Sequence, residues 1–109
     1  PLSYAYCSDT MYFARLSSFV KSVDLLYHEA TFDGSMEKLA RKVMHSTTLD
    51  AAKTALKANA GTLMIGHFSA RYDDVTSLVE EARTIFPSTI PAIDGNTYNI
   101  KELSAGKQP

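Results

Sequence analysis

Cysteine is almost missing from this sequence: Cys7 stands alone in 109 residues. An internal disulfide framework is therefore excluded, and a reducing, cytoplasmic setting fits. No apolar run approaches the roughly 20 residues a membrane-spanning helix needs, and no hydrophobic leader opens the chain, so it reads as soluble with no membrane partner. An excess of charge of one sign is also lacking. The 11 basic and 12 acidic side chains leave a net of −1, so nothing global advertises a polyanionic partner. Repeats, low-complexity blocks and linkers are absent, and the length suits one domain, so residues 1–109 read as a single unit. No H-x-H or H-E-x-x-H pair occurs, which excludes a zinc site spelled by local spacing. A starting methionine is missing too, and Pro1 reads as the cut edge of something longer.

What is present is unevenly distributed. A hydrophobic content of 45% supports a buried core. Residues 1–35 carry a net charge of −2, residues 36–57 a net of +3, and the remainder a net of −2. The basic middle holds Lys38, Arg41, Lys42, Lys53 and Lys57. It reads either as a solvated helix face or as a patch facing an anion.

Strand-like apolar runs alternate with segments of helical period. Leu2 to Cys7 is β-prone, and Asp24 to Tyr27 and Thr62 to Ile65 suit buried strands. Phe13, Leu16, Val20 and Val23 fit one helical face. Ser35 can cap a second helix whose Met36, Leu39, Ala40 and Val43 recur at helical spacing. A third runs from about Leu49 to Asn59, with Gly61 as its stop, and a fourth from Asp73 or Asp74 to Pro87. Thr89 to Ile93 and Thr97 to Ile100 read as a hairpin around Asp94-Gly95-Asn96. The alternation makes the chain α/β.

The ionisable clusters follow the strands. Cys7-Ser8-Asp9-Thr10, His28-Glu29-Ala30-Thr31 and Gly66-His67-Phe68-Ser69 each close a strand, and His45-Ser46-Thr47 precedes the third helix. In open α/β sheets that edge is where ligands bind. All three histidines lie there. Each residue also has a plainer reading. Asp9 and Thr10 suit a helix cap, a histidine after an apolar strand suits a hydrogen-bonded structural role, and Cys7 suits a small packed hydrophobe. Glu29 and Asp33 read as loop acids.

In order along the chain, Tyr6-Cys7-Ser8-Asp9-Thr10, Leu26-Tyr27-His28-Glu29-Ala30-Thr31-Phe32, His45-Ser46-Thr47 and Gly66-His67-Phe68-Ser69-Ala70-Arg71-Tyr72 resemble the motifs of ribonuclease Z. That family comprises zinc-dependent endoribonucleases of the metallo-β-lactamase superfamily that mature the 3′ end of precursor tRNA. The resemblance spans about residues 2–101. It implies the carboxyl-terminal half of a metallo-β-lactamase αβ/βα sandwich. It gives Asp9 the role of a carboxylate bridging two zinc ions and His67 that of a metal ligand. His28 takes the role of general acid toward the leaving oxygen. His45, Ser46, Thr47, Ser69 and Arg71 take those of phosphate and RNA contacts.

The family's amino-terminal H-x-H-x-D-H cluster is missing from this sequence. The resemblance therefore implies that the chain alone is inactive and needs the amino-terminal half of its domain. It also implies a homodimer acting on precursor tRNA. Two other readings stand beside it: a superfamily phosphodiesterase with another substrate, and a metal-free, non-enzymatic fragment.

Overall fold

The computed structural model describes residues 2–8, 10–93 and 103. Four strands form one sheet: β1 (Tyr4–Cys7), β2 (Leu25–Glu29), β3 (Thr62–Gly66) and β4 (Thr89–Pro91). They lie side by side in chain order and every neighbouring pair is parallel. Parallel neighbours require crossovers. These carry α1 (Leu16–Phe19), α2 (Glu37–Lys42, entered through a 3₁₀ turn at Gly34–Met36), α3 (Thr48–Ala58) and α4 (Thr76–Arg83). Among the described helices, none is long and apolar enough to cross a membrane.

The core follows from strand alternation. Successive side chains point to opposite faces, and Leu26, Leu63 and Ile65 meet α3 through Ala51, Ala52, Ala55 and Ala58, all fully buried. Alanine lets the helix lie close to the sheet, and the central strands, buried at every position but the half-buried Tyr27, have the largely apolar character expected of a parallel sheet. Tyr4 and Tyr6 look the other way and are more than half exposed. Tyr6 stacks on Tyr27, its partner in register, at 4.5 Å between ring centroids.

Helix boundaries are decided locally. Thr47 caps α3 with a reciprocal capping box: its hydroxyl accepts from the Asp50 N–H at 3.2 Å, and the Asp50 carboxylate accepts from the Thr47 N–H at 3.0 Å. Asn59 closes the helix in the left-handed conformation, φ 53°, which asparagine tolerates better than most residues. At Gly61 a Cβ would meet the Asp24 carbonyl oxygen at 2.4 Å, so this glycine permits the close approach of two strand starts.

Several sequence expectations need correction. The periodic stretch from Phe13 to Val23 yields only the single turn of α1, which has no side-chain cap and contains two serines, and the segment ends at Ser22 with φ 62°. Ser35 does not cap the second helix. Asp33 accepts from both the N–H and the hydroxyl of Ser35, which lies inside the 3₁₀ turn. The fourth helix begins at Thr76, with the Asp74 carboxylate accepting from the Thr76 N–H at 2.9 Å. Of the expected hairpin, Thr89–Pro91 forms a strand, paired in parallel with β3 as the fourth strand of the sheet. The expected turn at Asp94-Gly95-Asn96 and second arm at Thr97 to Ile100 lie outside the described residues.

Candidate metal and phosphodiester site

The carboxyl ends of β2 and β3 and the loop before α3 meet at one point. Glu29, the last residue of β2, is fully buried. Its carboxylate accepts from the Thr10 N–H at 2.6 Å, the Thr31 hydroxyl at 2.5 Å and His45 Nδ1 at 2.9 and 3.1 Å to its two oxygens. A buried acid needs such donors, because removal from water without them is costly. Four contacts from three separate segments make Glu29 the knot of this edge.

His67 joins the knot through Thr31. The Thr31 oxygen lies 3.1 Å from His67 Nδ1. A hydroxyl has one proton to give, and Thr31 gives it to Glu29, so its oxygen accepts from His67 Nδ1–H. The His45 and His67 rings stack with centroids 5.3 Å apart and planes 28° apart. His67 sits in the left-handed region with φ 59°, an uncommon conformation for a side-chain-bearing residue that concentrates at functional positions. One ligand atom from each of Glu29, His45 and His67 lies within 4.8 Å of the others. Two imidazoles and a carboxylate suit a borderline-soft divalent ion such as zinc.

The other residues singled out in the sequence lie at different depths. Asp9 lies outside the described residues. Ser46 is fully buried, and its hydroxyl donates to the Thr10 carbonyl at 2.5 Å, tying the loop before α3 to the loop after β1. Thr47 is occupied by the capping box. The Ser69 N–H donates to the Thr31 carbonyl at 2.9 Å, and its hydroxyl accepts from the Arg71 N–H at 3.3 Å. Arg71 is exposed, with its guanidinium over the Phe32 ring at 5.3 Å. Next to it, Tyr72 donates to Asp33 at 2.7 Å, locking the segment after β3 onto the segment after β2. Hydrogen bonds from the Ser35 and Tyr72 hydroxyls, with the Arg71 charge adding least, hold the Asp33 carboxyl below its usual range.

His28 stands apart from this cluster. It is fully buried and follows Leu26 in strand alternation, on the side of α3 and Asp50. Nδ1 bonds the Glu29 carbonyl at 2.8 Å, and a carbonyl only accepts, so Nδ1 carries the proton. Nε2 is buried with no hydrogen-bond partner among the described residues. Burial pulls the imidazole below its ordinary pKa, outweighing the opposing pull of the Glu29 carbonyl and of the Glu29 and Asp50 charges. Cys7, its partner in register, is half-buried against the core, and burial pushes its thiol up.

Glu29 and Thr31 are the residues that reading the sequence undervalued. The available signal was an acid at the end of an apolar parallel strand, where a side chain is buried and must be satisfied.

No protein-family model matches the sequence. Curated relatives do. The chain is 48% identical over 101 residues to ribonuclease Z of Bacteroides thetaiotaomicron and 47% identical over 100 residues to that of Parabacteroides distasonis. The chain belongs to the ribonuclease Z family. These matches cover 93% and 92% of the chain but only 32% and 33% of the relatives, so it spans about a third of their length. Among solved structures, the metallo-β-lactamase fold protein YhfI of Bacillus subtilis superposes with a TM-score of 0.73 at 27% identity, over 79% of the chain and 34% of YhfI. The short form of human tRNase Z superposes with a TM-score of 0.61 at 30% identity, over 77% of the chain and 27% of the enzyme. The parallel sheet and its helices are thus part of a metallo-β-lactamase fold.

Proposed function

We propose that this chain is the carboxyl-terminal half of a ribonuclease Z domain, contributing to a zinc-dependent endoribonuclease that removes the 3′ trailer of precursor tRNA. The observation that carries this reading is the placement of two stacked histidines and a buried carboxylate at the carboxyl edge of a parallel sheet, in a chain nearly half identical to curated ribonucleases Z. Ligands bind at that edge of open α/β sheets.

His67 would hold a cation through a ring nitrogen and Asp9 would bridge to a second, while His45, stacked on His67, would stand within reach of the same ion and of the RNA phosphate. Bound there, two cations would stabilise the attacking and leaving oxygens of a phosphodiester. Ser69 and Arg71 stand beside His67 on the segment that Tyr72 anchors, where a guanidinium can grip a phosphate. Ser46 and Thr47, already committed to backbone and cap, hold the His45 loop in shape. In the role of general acid, His28 would deliver a proton from Nε2, and its complete burial means the substrate or the rest of the domain must open a path to it. The segment with the +3 charge, which contains the His45 loop, faces the polyanion in this reading.

With one half of the domain supplying too few ligands, the isolated chain is inactive, and catalysis requires the amino-terminal half, in a homodimer in the cytoplasm. The test is a processing assay on precursor tRNA carrying a 3′ trailer. The longer protein containing this chain should release the trailer and leave a 3′-hydroxyl on the tRNA, while the 109-residue chain with added zinc should cleave nothing. Cleavage of small phosphodiesters with intact precursor tRNA would instead favour another phosphodiesterase of the same fold. Cleavage by the chain alone would overturn the half-domain reading.

A further inference from the structure

Past the carboxyl end of the sheet, the chain following β3 is fastened onto the chain following β2. The Ser69 N–H donates to the Thr31 carbonyl at 2.9 Å, and the Tyr72 N–H donates to the Ser69 carbonyl at 3.1 Å, closing a tight turn over 69–72. The Tyr72 hydroxyl accepts from the Asp33 N–H at 2.8 Å and donates to Asp33 Oδ2 at 2.7 Å. Arg71 lies between these two fastenings, its guanidinium 5.3 Å from the centre of the Phe32 ring and its Nη1 3.8 Å from the Met36 sulfur.

We infer that Tyr72 and Asp33 form a latch that positions Arg71 to receive a phosphate of precursor tRNA, and so sets substrate affinity. This role rests on the phosphate contact proposed for Arg71 above. One hydroxyl makes both bonds to Asp33, so removing that single oxygen opens the latch from the Tyr72 side. Asp33 is itself pinned, because its other carboxylate oxygen accepts from the Ser35 N–H and hydroxyl within the 3₁₀ turn. Phe32 and Met36 carry no negative charge, and the Asp33 carboxylate, though within electrostatic reach of Arg71, is taken up by Tyr72 and Ser35. The guanidinium is therefore oriented but forms no ion pair among the described residues. A long exposed arginine gives up many rotamers when it grips a phosphate with paired N–H groups, and holding it in place beforehand removes part of that cost.

The alternative is that the pair only ties two loops together. That role would act on the reaction whatever residue stood at position 71. The latch bonds themselves include none of Glu29, His45 and His67, so a latch that works through Arg71 should change KM and leave kcat alone.

The test is a double-mutant cycle in the longer protein containing this chain, read as steady-state cleavage of precursor tRNA carrying a 3′ trailer. Arg71→Ala should raise KM about 10-fold and flatten its salt dependence, as the loss of one charge-assisted phosphate contact requires. Tyr72→Phe should raise KM about 2- to 10-fold, the cost of ordering one long side chain in the complex, with kcat unchanged. In the Arg71→Ala background, Tyr72→Phe should add nothing. Asp33→Ala opens the latch from its other side and should show the same dependence on Arg71, which decides the matter if Tyr72→Phe fails to fold. Latch and Arg71 effects that add, or a Tyr72→Phe enzyme with normal KM beside an impaired Arg71→Ala, overturn the latch and leave the phosphate contact standing. A fall in kcat in Tyr72→Phe that persists without Arg71 marks a merely structural tie. An Arg71→Ala enzyme with normal KM and salt dependence defeats the phosphate contact and the latch together.

Discussion

The two sides of β2 solve burial in opposite ways. Toward α3, Leu26 meets alanines and neighbouring leucine and isoleucine, none of which has a side-chain polar group to satisfy. At the strand's end, Glu29 is as deeply buried as Leu26 but is held by three donor groups from other segments. The apolar side gains from area alone and tolerates no lost volume. The polar end gains little net energy but specifies where each loop sits, since every donor there would be left unsatisfied by a shift. His28 lies between these regimes, buried like the core and polar like the edge, with Nε2 unpartnered among the described residues.

The largest effect should come from breaking the apolar side. Leu63→Ala, at a fully buried position opposite Leu26, should cost about 2–5 kcal/mol in urea unfolding. The cap that joins the core helix to the site loop comes next. Thr47→Ala removes one half of the capping box and should cost about 0.5–2 kcal/mol. Only that second change should also perturb the His45 ring signals, because Thr47 lies two residues from His45 while Leu63 lies under α3.

The third prediction concerns pH. A histidine whose folded pKa is lowered binds its proton more readily when unfolded, so folding loses stability as pH falls below the ordinary histidine value, about 6.5, toward the folded pKa. His28→Gln should flatten that part of the stability profile, followed by thermal melts between about pH 7 and pH 5. An unchanged slope would show that His28 is not the group responsible. The smallest effect belongs to the surface. Arg41 and Glu37 form a 2.6 Å ion pair one helical turn apart, both largely exposed, and Arg41→Ala should change stability by less than about 0.5 kcal/mol.

Much of the architecture was legible along the chain. The strands at Leu25–Glu29 and Thr62–Gly66 and the helix at Thr48–Ala58 fall within a few residues of where apolar runs and periodicity put them. Failures came where neighbours overrule local preference. Phe13 to Val23 has helical spacing but only one turn of helix, for lack of a cap. Thr89–Pro91 read as a strand, but nothing local showed its parallel pairing with β3. The site was half legible. His45 and His67 lie in loops as read, but His28 lies inside β2, Glu29 read as a loop acid and Thr31 only as part of a motif, because the importance of the last two lies in contacts between segments 16 to 36 residues apart.

The amino-acid sequence by itself determined the α/β alternation, the motif order that resembles ribonuclease Z, and the concentration of ionisable residues at the carboxyl ends of strands. Periodicity and short-range capping are local properties, and residue order alone expresses them. Only the tertiary structure decided that His28 is sealed while His45 and His67 stack, and that a single buried carboxylate joins three loops. Those outcomes depend on strand register and on which donors meet which acceptor once water is excluded. Such pairings are made across the sheet and leave no spacing to read.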